Sequence, residues 1–131
     1  MTNPILWEDF RPGTELGEFT IPFDAAMASA WQAIFGKDSA GSPAEGASIA
    51  LAAMMRAYAT VVAPRPPGNV HARQRFTLEA VPAPGEAIRT VLSCAGKELK
   101  RERRYVDFQV RATGEGGRAL YGGILTIIWA A

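Results

Sequence analysis

A short segment in the first half of the chain holds the residues best suited to chemistry. Asp38 and Ser39 lie in the polar stretch Lys37–Pro43, and Glu45 and Gly46 follow it at the start of an apolar segment. If that segment is a helix, its first turn offers backbone N–H groups that have no partner within the helix. Such groups could stabilise an oxygen that gains negative charge during a reaction. The two carboxylates could act as a base, and Glu45 also as a nucleophile.

Each of these residues also has an ordinary structural explanation. Asp38 can simply be solvated or cap a loop, and Ser39 is a common turn residue. Glu45 in the first turn of a helix interacts favourably with the helix dipole. Gly46 can mark a close contact between helix and sheet that leaves no room for a side chain. The residues alone leave both interpretations open.

The segment that begins at Glu45 is apolar around almost its whole circumference. Between Gly46 and Val62 the only charged residue is Arg56. A helix that is apolar on every side is usually buried on every side, so Leu51 and Met54 are both expected in the core. The segment is too short and too rich in Gly and Ala for a comfortable membrane span. The rest of the chain must therefore enclose it.

The elements that could enclose this helix lie on both sides of it in the sequence. Leu16–Phe23 is predicted to be a short strand, and Asp24 the N-cap of a first helix, Asp24–Phe35, that Gly36 ends. From residue 70 onward the apolar period changes to two, which is typical of strands. The predicted strands are Val70–Glu79, Glu86–Cys94, Leu99–Thr113 and Arg118–Trp129, with turns at Ala95–Lys97 and Gly114–Gly117.

The final strand, Arg118–Trp129, is apolar on both faces, which predicts an interior strand or one covered by a partner subunit. One buried helix with an antiparallel sheet wrapped around it is an α+β arrangement of the kind called a hotdog fold. We expect a single hotdog domain over residues 1–131.

Composition excludes several functional classes. The chain has 131 residues, 48% of them hydrophobic and 21% charged, with a net charge of +1, so nothing favours nucleic acid or an anionic membrane as a partner. The basic run Lys97–Arg104 is interrupted by glutamates and is interpreted as a solvated strand face or, alternatively, a polyanion patch. The single cysteine, Cys94, excludes an intrachain disulfide and is expected to pack within a strand. No signal peptide is evident, which predicts a cytoplasmic protein.

Three motifs, in this order and spacing, resemble the MaoC-like acyl dehydratases, the hotdog family that includes the R-specific enoyl-CoA hydratases. The motifs are Phe10-Arg11-Pro12-Gly13-x-x-Leu16-Gly17 with the later Ile34-Phe35-Gly36-Lys37-Asp38, then Gly46, and then Arg73-Gln74-Arg75-Phe76 followed by Val81-Pro82-x-Pro84-Gly85-Glu86. The resemblance covers nearly the whole chain. It implies an enoyl-CoA hydratase or dehydratase that acts as a homodimer or larger homo-oligomer. It implies no cofactor beyond the coenzyme A of the substrate, and we expect no metal site.

The chain departs from this family at the catalytic loop. Active members carry an Asp and a His a few residues apart after the first helix. Asp38 matches the Asp, with Ser39 as a possible hydroxyl partner, but no residue matches the His, and the only histidine is His71. A hydratase, an acyl-CoA thioesterase using Glu45, and a non-catalytic subunit or acyl-thioester-binding protein therefore all remain open.

Four further residues are expected at or near a substrate site. Arg65 and Arg73 are candidates for binding the phosphates of coenzyme A. His71 falls on the outward face of its strand, with Arg73, and is expected at the surface or at an interface. Gln74 falls on the inward face, where a buried amide needs a polar partner.

Overall fold

The computed structural model describes residues 3–36 and 43–131, without the side chains of Trp31, Phe35 and Pro43. In chain order its elements are β1 (Glu15–Pro22), α1 (Ala25–Phe35), α2 (Pro43–Val61), β2 (Val70–Leu78), β3 (Ala87–Lys100), β4 (Arg103–Thr113) and β5 (Ala119–Trp129). The strands form one antiparallel sheet in the order β1-β3-β4-β5-β2. The predicted α+β arrangement is confirmed.

Helix α1 begins where the sequence predicts. The carboxylate of Asp24 accepts a hydrogen bond of 3.0 Å from the backbone N–H of Met27, which is the geometry of an N-cap. Gly36 ends the helix with φ of 90°, a conformation that glycine adopts without strain. The helix therefore forms from a capping signal at each end.

Helix α2 packs with one side against the sheet, and the expectation that it is buried on every side is wrong. Ala50, Ala53, Met54 and Ala57 are fully buried. Leu51, in contrast, is 39% exposed. The reason is geometric, because the sheet covers one side of the helix and α1 contacts only part of another. Among the described residues, no helix is long and apolar enough to cross a membrane.

The inner face of the sheet, which α2 covers, supplies the other half of the core. Cys94, Phe108 and Leu125 lie opposite one another on β3, β4 and β5, and all three are fully buried. The ring of Phe10 meets Phe108 and Trp129 edge-on, with centroid distances of 5.3 and 4.8 Å. The prediction that Cys94 packs within a strand is confirmed, and so is the interior position of β5, which has β4 and β2 as its neighbours.

The hairpin of β3 and β4 differs from the sequence prediction. The turn expected at Ala95–Lys97 is instead a β-bulge between Cys94 and Gly96, and β3 continues to Lys100. The chain reverses at Arg101 and Glu102, where φ is 51° and 64°. Neither residue is a glycine, so no glycine signal marks this turn in the sequence. The second predicted turn, within residues 114–117, lies between β4 and β5 as expected.

Strand β2 lies at one edge of the sheet and contains a second bulge. His71 is opposite Ile127, a residue of the inner face, whereas Arg73 is opposite Thr126 of the outer face. The irregularity between them shifts the alternation by one residue. The prediction that His71 and Arg73 share a face is therefore wrong.

Candidate functional site

The first turn of α2 carries a buried carboxylate. Glu45 is only 3% exposed, and the side-chain amide of Gln32 on α1 donates to its Oε2 at 3.5 Å. A carboxylate in the first helical turn interacts favourably with the partial positive charge of the helix N-terminus. Glu45 is thus held at the junction of the two helices. Asp38 and Ser39 lie outside the described residues.

Gly46 contacts the loop that follows β2. A Cβ atom at this position would lie 1.9 Å from Cγ1 of Val81, so no side chain fits there. Of the two interpretations that the sequence leaves open, the structure confirms the close contact. The second interpretation, a backbone N–H that donates to a developing oxyanion, stays a prediction and is compatible with the first.

An ion pair between the buried carboxylate of Glu86 and the partly exposed Arg118 fixes the loop that contacts Gly46. The guanidinium of Arg118 donates to the carbonyl oxygen of Val81 at 3.3 and 3.4 Å and forms an ion pair with Glu86. Glu86 is buried and also accepts from the backbone N–H groups of Ala83, at 2.9 Å, and Glu115, at 2.8 Å. The Ala83 hydrogen bond first, then those from Glu115 and Arg118, hold the pKa of Glu86 below its usual value although burial opposes them.

These contacts connect the β4–β5 hairpin with the first turn of α2 through one loop. The sequence marked Val81 and Glu86 as parts of a motif, and their position explains why a hydrophobic residue and an acid occur there. Arg118 was missed, because an arginine that follows a glycine-rich turn carries no signal of a buried partner.

An apolar groove of about 410 Å³ runs along α1 and α2 beside Glu45. Its lining residues are Met27, Ala30, Ile34, Ser48, Ile49, Ala52 and Arg56. Ser48 and Ile49 follow Glu45 by three and four residues, so they lie on the same side of the helix. Glu45 therefore lies one helical turn from these two lining residues, on the same side of α2. The sequence analysis missed this groove, because its apolar residues were all expected to be enclosed.

No protein-family model matches the chain, and no curated protein matches its sequence. Solved structures do match. The R-hydratase of Pseudomonas aeruginosa superposes with a TM-score of 0.75 at 17% identity, over 94% of this chain and 84% of that one. The MaoC-like dehydratase of Rhodospirillum rubrum gives 0.72 at 16% identity, over 95% and 96%. A chain of the 3R-hydroxyacyl-ACP dehydratase complex of Mycobacterium tuberculosis gives 0.54 at 12% identity, over 88% and 98%.

The chain has the hotdog fold. The resemblance to MaoC-like dehydratases and R-hydratases inferred from the sequence motifs is confirmed at the level of structure. In this hotdog fold α2 is the central helix, and the candidate site described above lies at its N-terminal end.

Arg65 lies at the other end of the hotdog helix. Its guanidinium donates to the carbonyl oxygens of Ala59 and Val62, both at 2.9 Å, and lies 5.5 Å from the ring centre of Tyr58. These contacts cap the helix C-terminus, where a cation is favoured. Because α2 has 19 residues, about 28 Å separates its two ends. Arg65 therefore has a structural role away from Glu45, and phosphate binding by it stays a prediction.

The remaining predicted residues lie on β2. His71 is exposed, as expected, but it is seven residues from Leu78, or about 20 Å along the strand. The loop that contacts Gly46 begins only after Leu78, so His71 does not approach that end of α2. Gln74 is opposite the inner-face residue Leu125, yet it is exposed, because α2 does not cover the edge strand there. The expectation of a buried amide is wrong.

Two hydroxyl groups form a buried pair that the sequence analysis missed. The hydroxyl of Tyr121 is hydrogen bonded to that of Thr90 on the inner face. Burial raises the pKa of Tyr121 to about 12, so the phenol is neutral at physiological pH and cannot serve as a ready base. Within residues 3–36 and 43–131, no group of three His, Cys, Asp or Glu side chains could hold a metal ion.

Proposed function

We propose that the protein binds acyl-CoA thioesters, with the acyl chain in the groove between α1 and α2, and that it is an enoyl-CoA hydratase or dehydratase. The observation that carries this proposal is the groove itself, whose lining is mainly apolar, with Ser48 and Arg56 as its polar members, and which lies on the side of α2 that carries Glu45 one turn earlier. An acyl chain needs such a lining, and a reacting thioester needs polar groups at the end of it. The similarity to R-hydratases and MaoC-like dehydratases supports the same chemistry.

Hydration of an enoyl thioester adds a water oxygen to one carbon of the double bond and a proton to the other. A carboxylate must take a proton from the water, and charge that develops on the thioester oxygen must be stabilised. In our proposal Asp38 is the general base, as the family resemblance implies, with Ser39 beside it. The N-terminal turn of α2 at Gly46 stabilises the oxygen, and Glu45 is the second carboxylate of the site.

The alternative is a hotdog protein that binds acyl thioesters without turning them over. The observation that favours it is the position of the only histidine, His71, which lies about 20 Å along β2 from the loop that contacts Gly46. The family pattern pairs the Asp with a His a few residues away, and no residue of this chain matches that His. Thioester hydrolysis with Glu45 as base or nucleophile is a third outcome that the same assays detect.

The protein is also proposed to be a cytoplasmic homodimer or larger homo-oligomer. Strand β2 has nine residues and lies at the edge of the sheet, where no strand of the described residues pairs with its outer side. Such an edge is a ready template for pairing with a second copy. One of the similar structures is a chain from a complex. Sedimentation at micromolar concentration should give a mass of at least twice 14.1 kDa, and a strict monomer would contradict this part of the proposal.

The experiment that tests the proposed activity is hydration of crotonyl-CoA and a longer enoyl-CoA, followed by loss of the conjugated double bond. We expect slow turnover by the native protein and a drop of roughly 10²-fold in Asp38→Asn, the usual scale for a general base. The matched control is Glu79→Gln, which changes an exposed carboxylate at the end of β2. Full activity in Asp38→Asn would remove that residue from the mechanism. Binding of acyl-CoA without hydration or hydrolysis would establish the non-catalytic alternative.

A further inference from the structure

The outer face of the sheet, which points away from α2, carries a basic groove at the end where β3 and β4 meet. Two adjoining hollows of about 300 and 440 Å³ form it, and both are lined by Arg73. The first also contains Glu98, Lys100, Arg101, Arg103 and Tyr105, and the second contains Arg75, Asp107 and Thr126. We call these two hollows together the outer groove. Five cationic side chains therefore face two carboxylates.

The fold completes a group of charges that the local sequence assembles in part, since Lys100, Arg101 and Arg103 are sequence neighbours and β2 adds Arg73 and Arg75. In the run Lys97–Arg104, the ammonium of Lys97 lies 4.4 Å from the ring centre of Trp7, and Arg104 pairs with Leu99 on the opposite side of the hairpin from the groove. Arg73 lies on β2, about 30 residues earlier in the chain. The register of the sheet, with its two bulges, places Arg73 next to the remaining cations. A polyanion patch was one interpretation of the basic run, and the structure adds β2 to it.

Arg73 is held in place by a buried threonine. The hydroxyl of Thr126, which is 3% exposed, accepts from Nε of Arg73 at 3.5 Å and donates to Oδ1 of Asp107 at 2.5 Å. These hydrogen bonds use Nε of Arg73 and leave the two terminal nitrogens of its guanidinium available at the groove. The terminal pair is the part of arginine that binds a phosphate in a bidentate way.

The cations of the outer groove have no acidic partner of their own. In the part of the chain that the structure describes, the ion pairs are Arg89–Glu18 and Arg118–Glu86, and neither includes a groove residue. Concentrated positive charge that is not neutralised internally attracts anionic ligands. Five cations against two carboxylates give the groove a net positive charge, which favours an anionic ligand.

The spacing of the strands indicates the size of the anion. Arg73 lies on β2 and Arg103 on β4, with β5 between them, so about 10 Å separates the two strands. Cations spread over this distance can contact two linked phosphates at once, whereas a single phosphate uses only part of the groove. Tyr105 lies opposite Glu98 in the same hollow and adds an aromatic ring next to the cations.

We propose that the outer groove binds the pyrophosphate group of a nucleotide-containing small molecule. Free nucleoside diphosphates and coenzyme A share this chemistry. The proposal does not rest on the proposed thioester chemistry, because the outer groove and the α1–α2 groove lie on opposite faces of the sheet.

The test is isothermal titration calorimetry of the full chain with ADP, coenzyme A and inorganic phosphate in low salt. We expect saturable binding of ADP or coenzyme A and much weaker binding of phosphate. Arg73→Gln and Arg103→Gln should each raise the dissociation constant about tenfold, the effect of losing one charge-assisted contact. The matched control is Arg111→Gln, which removes an exposed charge from the same face of β4 outside the groove and should change it less than twofold.

The pattern of results separates the outcomes. Equal affinity for ADP and coenzyme A would support a general nucleotide site. Preference for coenzyme A would identify coenzyme A as the molecule that supplies the pyrophosphate group. Absence of saturable binding of both would overturn the proposal. If Arg111→Gln lowered the affinity as much as Arg73→Gln, that result would also overturn the proposal, because the electrostatic attraction would then come from the whole face and not from the groove. None of these results affects the dependence of acyl-CoA binding on chain length, which tests the α1–α2 groove.

Discussion

Replacement of Gly46 by alanine tests the contact that fixes the N-terminal turn of α2. In a helix interior without steric conflict, this change would stabilise the protein by about 0.5–1 kcal/mol, because alanine loses less conformational freedom than glycine. Here the new Cβ would lie 1.9 Å from Cγ1 and 3.2 Å from Cβ of Val81. Overpacking of this kind costs about 1–3 kcal/mol, and the conflict here is severe, so we expect a net loss of about 2 kcal/mol.

The assay is urea unfolding, with the free energy of unfolding obtained by linear extrapolation. The double variant Gly46→Ala/Val81→Ala removes the conflicting methyl groups and should be at least as stable as Val81→Ala alone. The two substitutions should therefore show a coupling free energy of at least about 2 kcal/mol. Gly96→Ala is the control, because a Cβ there meets no atom within 4 Å. A Gly46→Ala protein as stable as the native one, with Val81 in place, would refute the reasoning.

Two further predictions concern the core and the ion pair between Glu86 and Arg118. Met54→Asp should unfold the protein, because it places an unpaired charge in a fully buried site. Leu51, three residues away, is 39% exposed, so Leu51→Asp should leave the protomer folded with a melting temperature within a few degrees of native. An equal loss of stability in thermal melts of the two variants would show that both sides of α2 are covered. The folded-state pKa of Glu86 lies below its ordinary value of 4.5. The ionised carboxylate therefore stabilises the folded protein fully above pH 4.5, and this stabilisation is lost as the pH falls through the folded-state pKa. Glu86→Gln should accordingly lower the melting temperature at pH 7, and its difference from the native protein should shrink as the pH falls below 4.5. A difference that stays constant with pH would contradict this, and the exposed Glu79→Gln should show little change across the same range.

The sequence predicted the elements and the fold class because their signals are local. The Asp24 cap, the change of apolar period at Val70 and the loop after β4 each depend on a few neighbouring residues. The turn at Arg101 and Glu102 was missed because two non-glycine residues adopt positive φ there. The bulge before Arg73 was missed because an inserted residue leaves the composition of a strand unchanged.

The candidate site was predictable only in part. Glu45 and Gly46 could be marked because the start of a helix is visible in the sequence. Their real partners, Gln32 and Val81, depend on how distant segments pack, which no spacing reveals. The exposure of Leu51 was missed for a related reason, since hydrophobic character predicts a need for burial but not which neighbour provides it.

The central claim, that the α1–α2 groove binds an acyl chain, is tested most directly by the affinity of saturated acyl-CoAs of increasing length. Each buried methylene contributes up to about 0.8 kcal/mol, so the dissociation constant should fall by up to about fourfold per methylene from butyryl-CoA to octanoyl-CoA. Ala52→Phe, which fills the groove, should abolish this dependence, and Ala33→Phe, an exposed change on α1 outside the groove, should preserve it. Affinities that do not change with chain length in the native protein, or a dependence that survives in Ala52→Phe, would contradict the account.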